Sequence, residues 1–205
     1  MEIVTNNLSK RFNREWIFRN LSTTFSSGNT YAITGPNGSG KSTLLQVLWG
    51  QMPQTAGELN YSSEGSNIEI EKVYSSISIA TPYMDLIEEF TLTEQLQFHF
   101  KLRKSRNNLS VDAIIENMYL GNARDKFISN FSSGMKQRVK LALAFFTEAD
   151  VIFLDEPGTN LDKTAFDWYL KNLNTLPAES LVFIASNQPD EYPENALKIN
   201  ILDYK

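Results

Sequence analysis

The chain has 205 residues, of which 41% are hydrophobic and 21% charged, and this composition predicts one folded domain with a sizeable core. It contains no cysteine, which excludes disulfides, thiol catalysis and cysteine zinc sites. The net charge of −5 argues against the broad basic face that nucleic-acid binding requires.

Long apolar segments are missing from the sequence. The start, MEIVTNNLSKRF, lacks the apolar stretch of a secretion signal. The longest apolar runs, LALAFF (141–146) and VIFL (151–154), fall far short of the ~18–20 residues that span a bilayer. We therefore expect a cytoplasmic protein that would need a partner for any work at a membrane.

Short apolar strands alternate with helices in the first eighty residues. TYAIT (30–34) predicts a strand, and KSTLLQVLWG (41–50) predicts a helix that ends at Gly50. The stretches GELNY and IEIEKVY within residues 54–76 alternate apolar and polar positions, which predicts hairpin strands. SISIA (76–80) predicts a further strand.

A helical region follows, and the sequence then returns to strands. Residues 83–125 look helical, and TLTEQLQFHFKLRK opens with Thr91 and Glu94 at capping-box spacing. Another helix is predicted from residue 134, in GMKQRVKLALAFF, and VIFLDEP and LVFIAS predict strands. This order predicts an α/β sheet domain interrupted by a mostly helical insert.

A glycine-rich stretch, GPNGSGKST, lies between the strand TYAIT and the helix that follows it. It matches the pattern G-x-x-x-x-G-K-[ST] in its expected strand-to-helix position. The glycines allow the backbone amides to face phosphate oxygens, and the start of the helix adds unpaired N–H groups. We expect Lys41 to reach the β- and γ-phosphates and the Ser42 hydroxyl to ligate Mg²⁺. The predicted ATP-binding residues of this loop are Gly35, Pro36, Asn37, Gly38, Ser39, Gly40, Lys41, Ser42 and Thr43.

Two acidic residues end the strand VIFL. Asp155 is predicted to hold Mg²⁺ through water, and Glu156 to act as the general base that activates the attacking water. Two adjacent acids could instead cap a helix or face solvent. Their pairing with the phosphate loop favours the catalytic interpretation.

With these motifs, the sequence resembles the ATP-binding cassette of ABC transporters, in its compact export-type form, over essentially its whole length. FSSGMKQR (131–138) looks like the family signature, usually written LSGGQ. TNLD, which ends at Asp162, is similar to the D-loop, and LSKRF places Phe12 where the family stacks an aromatic side chain on adenine. SNQPDEY matches the segment of the family's switch histidine, and Asn187 occupies that position.

The resemblance implies a P-loop NTPase fold with a mostly parallel central sheet, a small antiparallel β subdomain and an inserted helical subdomain. On this basis the whole chain, 1–205, forms a single ATP-binding domain. Its nucleotide-binding core with the β subdomain would comprise approximately residues 1–82 and 131–205, and the helical insert approximately 83–130.

The signature segment has two interpretations. Ser132, Ser133 and Gly134 precede a long apolar-periodic helix, which by itself predicts a capped helix. The resemblance implies more, because in the family this helix start closes over the γ-phosphate bound by a second cassette in a head-to-tail dimer.

Two positions depart from the family pattern. The glutamine of the Q-loop is expected at Thr81 or Pro82, and neither residue supplies an amide side chain. Asn187 keeps a neutral donor in place of the switch histidine, while the only histidine, His99, lies on a helix of the insert and is expected to be structural or solvent-facing. Since Glu156 is retained, we expect a slow but working ATPase.

The resemblance also implies partners. These are a second ABC cassette, identical or different, and an integral membrane subunit that holds the protein at the cytoplasmic face. The acidic stretch DLIEEF (85–90) either borders the docking site for that subunit or is a solvated helix face. Two alternatives remain open: a cassette ATPase that does not serve transport, and a slow nucleotide-gated regulator, against which the retained Glu156 speaks.

Overall fold

The computed structural model describes residues 1–205, which form nine strands and six α-helices. The strands are β1 (Glu2–Phe12), β2 (Glu15–Ser26), β3 (Thr30–Thr34), β4 (Ala56–Ser63), β5 (Ser66–Ile68), β6 (Ile77–Ala80), β7 (Val151–Asp155), β8 (Leu181–Ala185) and β9 (Leu197–Asn200). The helices are α1 (Lys41–Leu48), α2 (Ile70–Val73), α3 (Leu92–Leu102), α4 (Val111–Asn117), α5 (Ser133–Phe146) and α6 (Lys163–Asn174).

The central sheet is entirely parallel, in the order β6-β7-β8-β3-β9. Both faces are covered, so every residue of β7 and β8 is buried and these strands have continuous apolar sequences. Val151 and Phe153 of β7 pack with α1, whereas Ile152 and Leu154 pack with α5 on the opposite face. The loops that follow β3, β7 and β8 leave the sheet at the same edge.

A second, antiparallel sheet has the order β2-β1-β4-β5 and packs over α1. Its buried side chains share one core with the helix; they include Ile3, Leu8, Phe18, Phe25 and Tyr61. The α/β fold with a parallel central sheet, a small antiparallel sheet and additional helices is thus confirmed.

The predicted helix-start signals are present. Thr91 Oγ1 accepts a hydrogen bond from the Glu94 amide, and Glu94 Oε2 accepts one from the Thr91 amide at 2.8 Å, which completes the capping box of α3. Ser132 caps α5 by accepting a hydrogen bond from the Met135 amide at 3.2 Å. Both helices therefore begin where the sequence predicts.

The predicted hairpin is present as β4 and β5, but the strand expected over IEIEKVY ends at its first residue, Ile68. After the short strand β5, residues 70–73 form the single helical turn α2, with Glu69 and Lys72 paired at 2.7 Å. The same apolar residues satisfy a helical spacing of three, which places Val73 fully inside the core beneath β4. The stretch 85–90 is likewise not helical: residues 85–87 have no regular structure, and a turn follows at residues 88–89.

None of the six helices combines the length and apolar composition that a membrane crossing demands.

Candidate functional site

The glycine-rich loop runs from the end of β3 to the start of α1 at the carboxyl edge of the parallel sheet. Gly40 precedes α1 with a φ of 107°, in the left-handed region. A β-carbon at this position would also overlap Ile17 Cγ2, so both backbone angle and space require glycine here. The turn leaves the first amides of α1 without helical partners.

Lys41 lies against this loop. Its side chain is only 4% exposed, and Nζ donates hydrogen bonds to the carbonyls of Gly35 at 2.9 Å and Pro36 at 3.2 Å. Neither partner is an acid. The ammonium group is therefore held at the loop with its charge not neutralised by a carboxylate.

The phosphate loop and Glu156 border one cleft of about 350 Å³. Tyr83 and Ile17 close its sides. The remaining lining residues are Asn37, Gly38, Gly40, Lys41, Ser42 and Thr43. Helix-start amides, an ammonium group and a carboxylate therefore face the same volume, which is the arrangement that phosphoryl transfer requires.

Asp155 ends β7 beside the Ser42 hydroxyl and is only 1% exposed. Burial raises the pKa of Asp155 to about 6, against the lowering effect of the nearby Ser42 hydroxyl. Its Oδ1 atom is buried without a hydrogen-bond partner in the protein. A buried, unpaired carboxylate oxygen next to a hydroxyl fits the oxygen ligands that Mg²⁺ prefers.

Glu156 is held in an unusual backbone conformation. Its φ of 47° is in the left-handed region, where non-glycine residues are uncommon. Its amide donates to the Ala185 carbonyl at 2.9 Å, and Gln137 Nε2 donates to the carbonyl of the next residue, Pro157, at 3.0 Å. These hydrogen bonds hold the turn in one conformation, which directs Glu156 into the cleft.

Asn187 follows β8 on the same edge of the sheet. It is exposed and is not part of the cleft lining, but its amide contacts Asn37 of the phosphate loop. Phe12 lies at the end of β1, 43% exposed and outside the cleft lining, with Lys10 Nζ 5.1 Å from its ring centroid.

The signature residues and Asp162 do not line the cleft of their own chain. The start of α5 packs on the D-loop instead, since a β-carbon on Gly134 would overlap the Asn160 carbonyl. Asp162 caps α6 by accepting a hydrogen bond from the Ala165 amide at 2.8 Å.

Residues 81 and 82, where the Q-loop glutamine is expected, lie directly after the end of β6. Thr81 is buried, and the Pro82 carbonyl accepts a hydrogen bond from Lys140 Nζ of α5 at 2.7 Å. Gln95 is already used within the fold, where its Oε1 accepts from the Ile87 amide at 2.9 Å. No glutamine side chain lines the cleft.

Sequence reasoning missed several residues of the site. Ile17 and Tyr83 line the cleft, and Gln137 fixes the turn after Glu156. Ile17 and Tyr83 belong to no motif in the sequence, and Gln137 lies in the segment FSSGMKQR without a predicted role, because these roles depend on contacts between distant segments.

The parallel sheet, the glycine-rich loop before α1 and the acids after β7 define this chain as a P-loop nucleotide-binding domain. The model of the ABC transporter family matches residues 18–159, and the chain belongs to this family, as its ATP-binding domain. The family assignment made from the sequence motifs is confirmed.

Curated relatives agree with this assignment. The uncharacterized ABC transporter ATP-binding protein YybJ of Bacillus subtilis is 31% identical over 157 residues, covering 77% of this chain and 72% of that protein. The Nod factor export ATP-binding protein I of Burkholderia lata is 31% identical over 175 residues, covering 84% of this chain and 58% of that protein. The chain thus spans little more than half the length of the Burkholderia relative.

The fold is also found in a solved structure. A putative ABC transporter ATP-binding protein from Pyrococcus furiosus superposes with a TM-score of 0.81 at 22% identity, covering 100% of this chain and 99% of that one.

Proposed function

We propose that this chain is an ATP-binding and ATP-hydrolysing subunit of an ABC transporter, which dimerises around MgATP to drive a separate membrane subunit. The observation that carries the proposal is the single cleft shared by Lys41, Ser42 and Glu156. Lys41 would neutralise the β- and γ-phosphates, and Glu156 would accept the proton of the attacking water. Family membership supports the hydrolytic activity.

Ser42 and Asp155 would hold Mg²⁺, with Asp155 acting through water. When bound, Mg²⁺ supplies charge neutralisation at the β- and γ-phosphate oxygens. The unpaired Oδ1 of Asp155 supports this role, because a buried carboxylate oxygen without a partner is otherwise costly.

A second cassette would complete each site. Ser132, Ser133 and Gly134 form the start of α5, whose first amides can bind an anion, yet they do not line their own cleft. Asp162 likewise does not line the cleft of its own chain. Contribution of these residues to the cleft of a partner cassette, identical or different, accounts for both facts.

We propose that approximately residues 1–82 and 131–205 form the nucleotide-binding core with the β subdomain and that approximately 83–130 form a helical insert. Phe12 would stack on adenine at the border of the cleft. Hydrolysis would be slow, because Asn187 is a weaker donor than a charged histidine and neither Thr81 nor Pro82 supplies the Q-loop amide. We propose no nucleic-acid partner.

A groove of about 540 Å³ supports the proposed membrane subunit as a partner. It lies between α1, α2 and β6 and is mostly apolar; Trp49, Ile70, Tyr74, Ile77, Ile79, Tyr83 and Met84 line it. Tyr74 and Tyr83 are strongly exposed, as expected of side chains that a partner covers. Tyr83 also lines the nucleotide cleft, so the two cavities share a wall. Docking at this groove would place the protein on the cytoplasmic face of the membrane.

Affinity purification from native membranes tests the partnership. The parent chain is expected to recover a membrane-spanning protein, and Tyr74→Ser is expected to recover much less, because it removes an aromatic anchor from the groove. Leu197→Ser is the control, since Leu197 is also exposed but lies on β9, at the opposite edge of the sheet from β6. Equal recovery by Tyr74→Ser and Leu197→Ser, or recovery of soluble proteins alone, would contradict the proposed docking.

A further inference from the structure

Glu191 is a buried acid that takes no part in the proposed nucleotide binding or hydrolysis. It ends the short 3-10 turn Pro189–Glu191 after β8 and is 2% exposed, whereas its neighbour Asp190 is exposed. Carboxylates are rarely buried to this extent without a specific interaction, because the charge loses its hydration. The position of Glu191 therefore requires a reason in its surroundings.

The carboxylate of Glu191 lies against Gly158. A β-carbon on Gly158 would overlap Oε1, so the carboxylate fills the space that any other residue at position 158 would need. Burial raises the pKa of Glu191, against the lowering effect of the nearby Ser186 hydroxyl and Gly158 amide, and its Oε2 atom is buried without a hydrogen-bond partner in the protein. The carboxylate thus packs the loop after β8, which runs from Ser186 to Glu191, against the turn that follows Glu156.

The backbone of Glu191 is fixed independently of its side chain. Its carbonyl accepts a hydrogen bond from the hydroxyl of the fully buried Tyr169 at 2.5 Å, and its amide donates to the Gln188 carbonyl at 3.2 Å. The carboxylate therefore extends from an anchored turn, which makes it suitable for holding other segments in place.

Both the loop after β8 and the turn after Glu156 carry residues of the proposed reaction. Gly158 follows Glu156 by two residues, and Ser186 immediately precedes Asn187. Glu156 has a left-handed backbone, and such a conformation persists only where the surroundings enforce it. Gln137 holds this turn from the side of α5, and Glu191 contacts it from the side of β8.

We infer that Glu191 is a positioning residue, whose carboxylate holds its own loop, from Ser186 to Glu191, against the Gly158 turn so that Glu156 and Asn187 face the same phosphate. The inference rests on the proposed roles of Glu156 and Asn187. Glu191 itself does not line the cleft and takes no part in the proton transfer.

The test compares Glu191→Ala and Glu191→Gln with the exposed neighbour variant Asp190→Ala. Glu191→Ala is expected to lower kcat by roughly tenfold or more, since small misplacements of catalytic groups cost up to ~10²-fold. The Kd for MgATP is expected to stay within about twofold, because the phosphate loop is not touched. Glu191→Gln keeps an acceptor oxygen and the packing, so it is expected to recover most of the rate, and Asp190→Ala to match the parent.

Three results would overturn the inference: a parent-like kcat in Glu191→Ala, a loss of kcat matched by an equal loss of MgATP affinity, or no recovery in Glu191→Gln. If Glu191→Ala does not fold, Gly158→Ala displaces the same carboxylate from the other side, and a parent-like kcat there overturns the inference equally. A parent chain without any turnover would contradict the proposed function itself, whereas a hydrolysing parent with an unaffected Glu191→Ala contradicts this inference alone.

Discussion

Asn187 Nδ2 donates a hydrogen bond to Oδ1 of Asn37 at 3.2 Å, which joins the loop after β8 to the phosphate loop across 150 positions of sequence. Asn37 lines the nucleotide cleft. The amide of Asn187 therefore contacts a residue of the cleft lining, although it carries no charge at neutral pH.

Replacing Asn187 tests whether this contact serves hydrolysis. Asn187→Ala is expected to slow turnover by less than the roughly 10²–10³-fold that loss of a strong transition-state donor costs, with little change in MgATP affinity. Asn187→His is expected to raise the rate and to introduce a pH dependence near ~6.5, because imidazolium is a stronger donor. Steady-state ATPase assays across pH measure both effects.

The neighbouring Gln188→Ala is the control for Asn187, since Gln188 is also exposed and only its backbone takes part in local hydrogen bonds. An ATP hydrolysis rate in Asn187→Ala equal to that of the parent would contradict the assignment of Asn187 to the switch position.

Lys41 is the only side-chain cation that lines the cleft. Lys41→Ala is expected to abolish tight MgATP binding, because the phosphate charges lose their fixed counter-charge. Lys171→Ala, which removes an exposed charge on α6, is expected to bind as the parent does. Isothermal titration decides the matter: a change in affinity below about threefold, ~0.7 kcal/mol, would contradict the role of Lys41.

His99 has a structural environment rather than a catalytic one. Its Nε2 lies 2.8 Å from Thr147 Oγ1, whose single hydrogen is donated to the Leu143 carbonyl. Nε2 must therefore carry a hydrogen, and the neutral ring satisfies the contact. Burial, with a smaller contribution from Arg103, lowers the pKa of His99 to about 4.

This lowered pKa predicts a dependence of stability on pH. Between pH ~6.5 and ~4 the unfolded chain binds a proton at His99 that the folded chain does not, so this residue's contribution to stability falls as the pH falls. His99→Gln removes the effect, and it is expected to change turnover at pH 7 little. The parent's Tm should therefore drop relative to His99→Gln by a few degrees between pH 7 and pH 5, at about 2–4 °C per kcal/mol for a chain of this size. A Tm difference that stays constant over this range would contradict the assignment.

Local signals predicted much of the fold. The capping box of Thr91 and Glu94 gave the start of α3, and the apolar runs before Asp155 and Ser186 gave β7 and β8, because these features depend only on neighbouring residues. The strand predicted around Ile70 and Val73 was wrong, because the apolar spacing there suits a strand and a helical turn equally. Only packing under β4 selects the helix.

Part of the site was predictable because it consists of contiguous motifs, which depend only on neighbouring residues. GPNGSGKST and the adjacent Asp155 and Glu156 are contiguous motifs. Tyr83 belongs to no contiguous motif, and Glu191 lies in the segment SNQPDEY without a predicted role; both reach the site only through contacts between distant loops. Such contacts follow from the three-dimensional arrangement and leave no periodic pattern in the sequence.

The replacement Glu156→Gln tests the central claim most directly, with turnover and oligomeric state measured on the same sample. Glutamine keeps the shape and hydrogen bonding of Glu156 and removes the base, so MgATP should still bind while hydrolysis stops. Glu148→Gln, an exposed acid outside the cleft, is the control and is expected to behave as the parent does. The account predicts that Glu156→Gln with MgATP elutes as a stable dimer on gel filtration and shows no measurable turnover. A Glu156→Gln variant that remains monomeric with MgATP and hydrolyses it at the parent rate would contradict both the general base and the dimeric site.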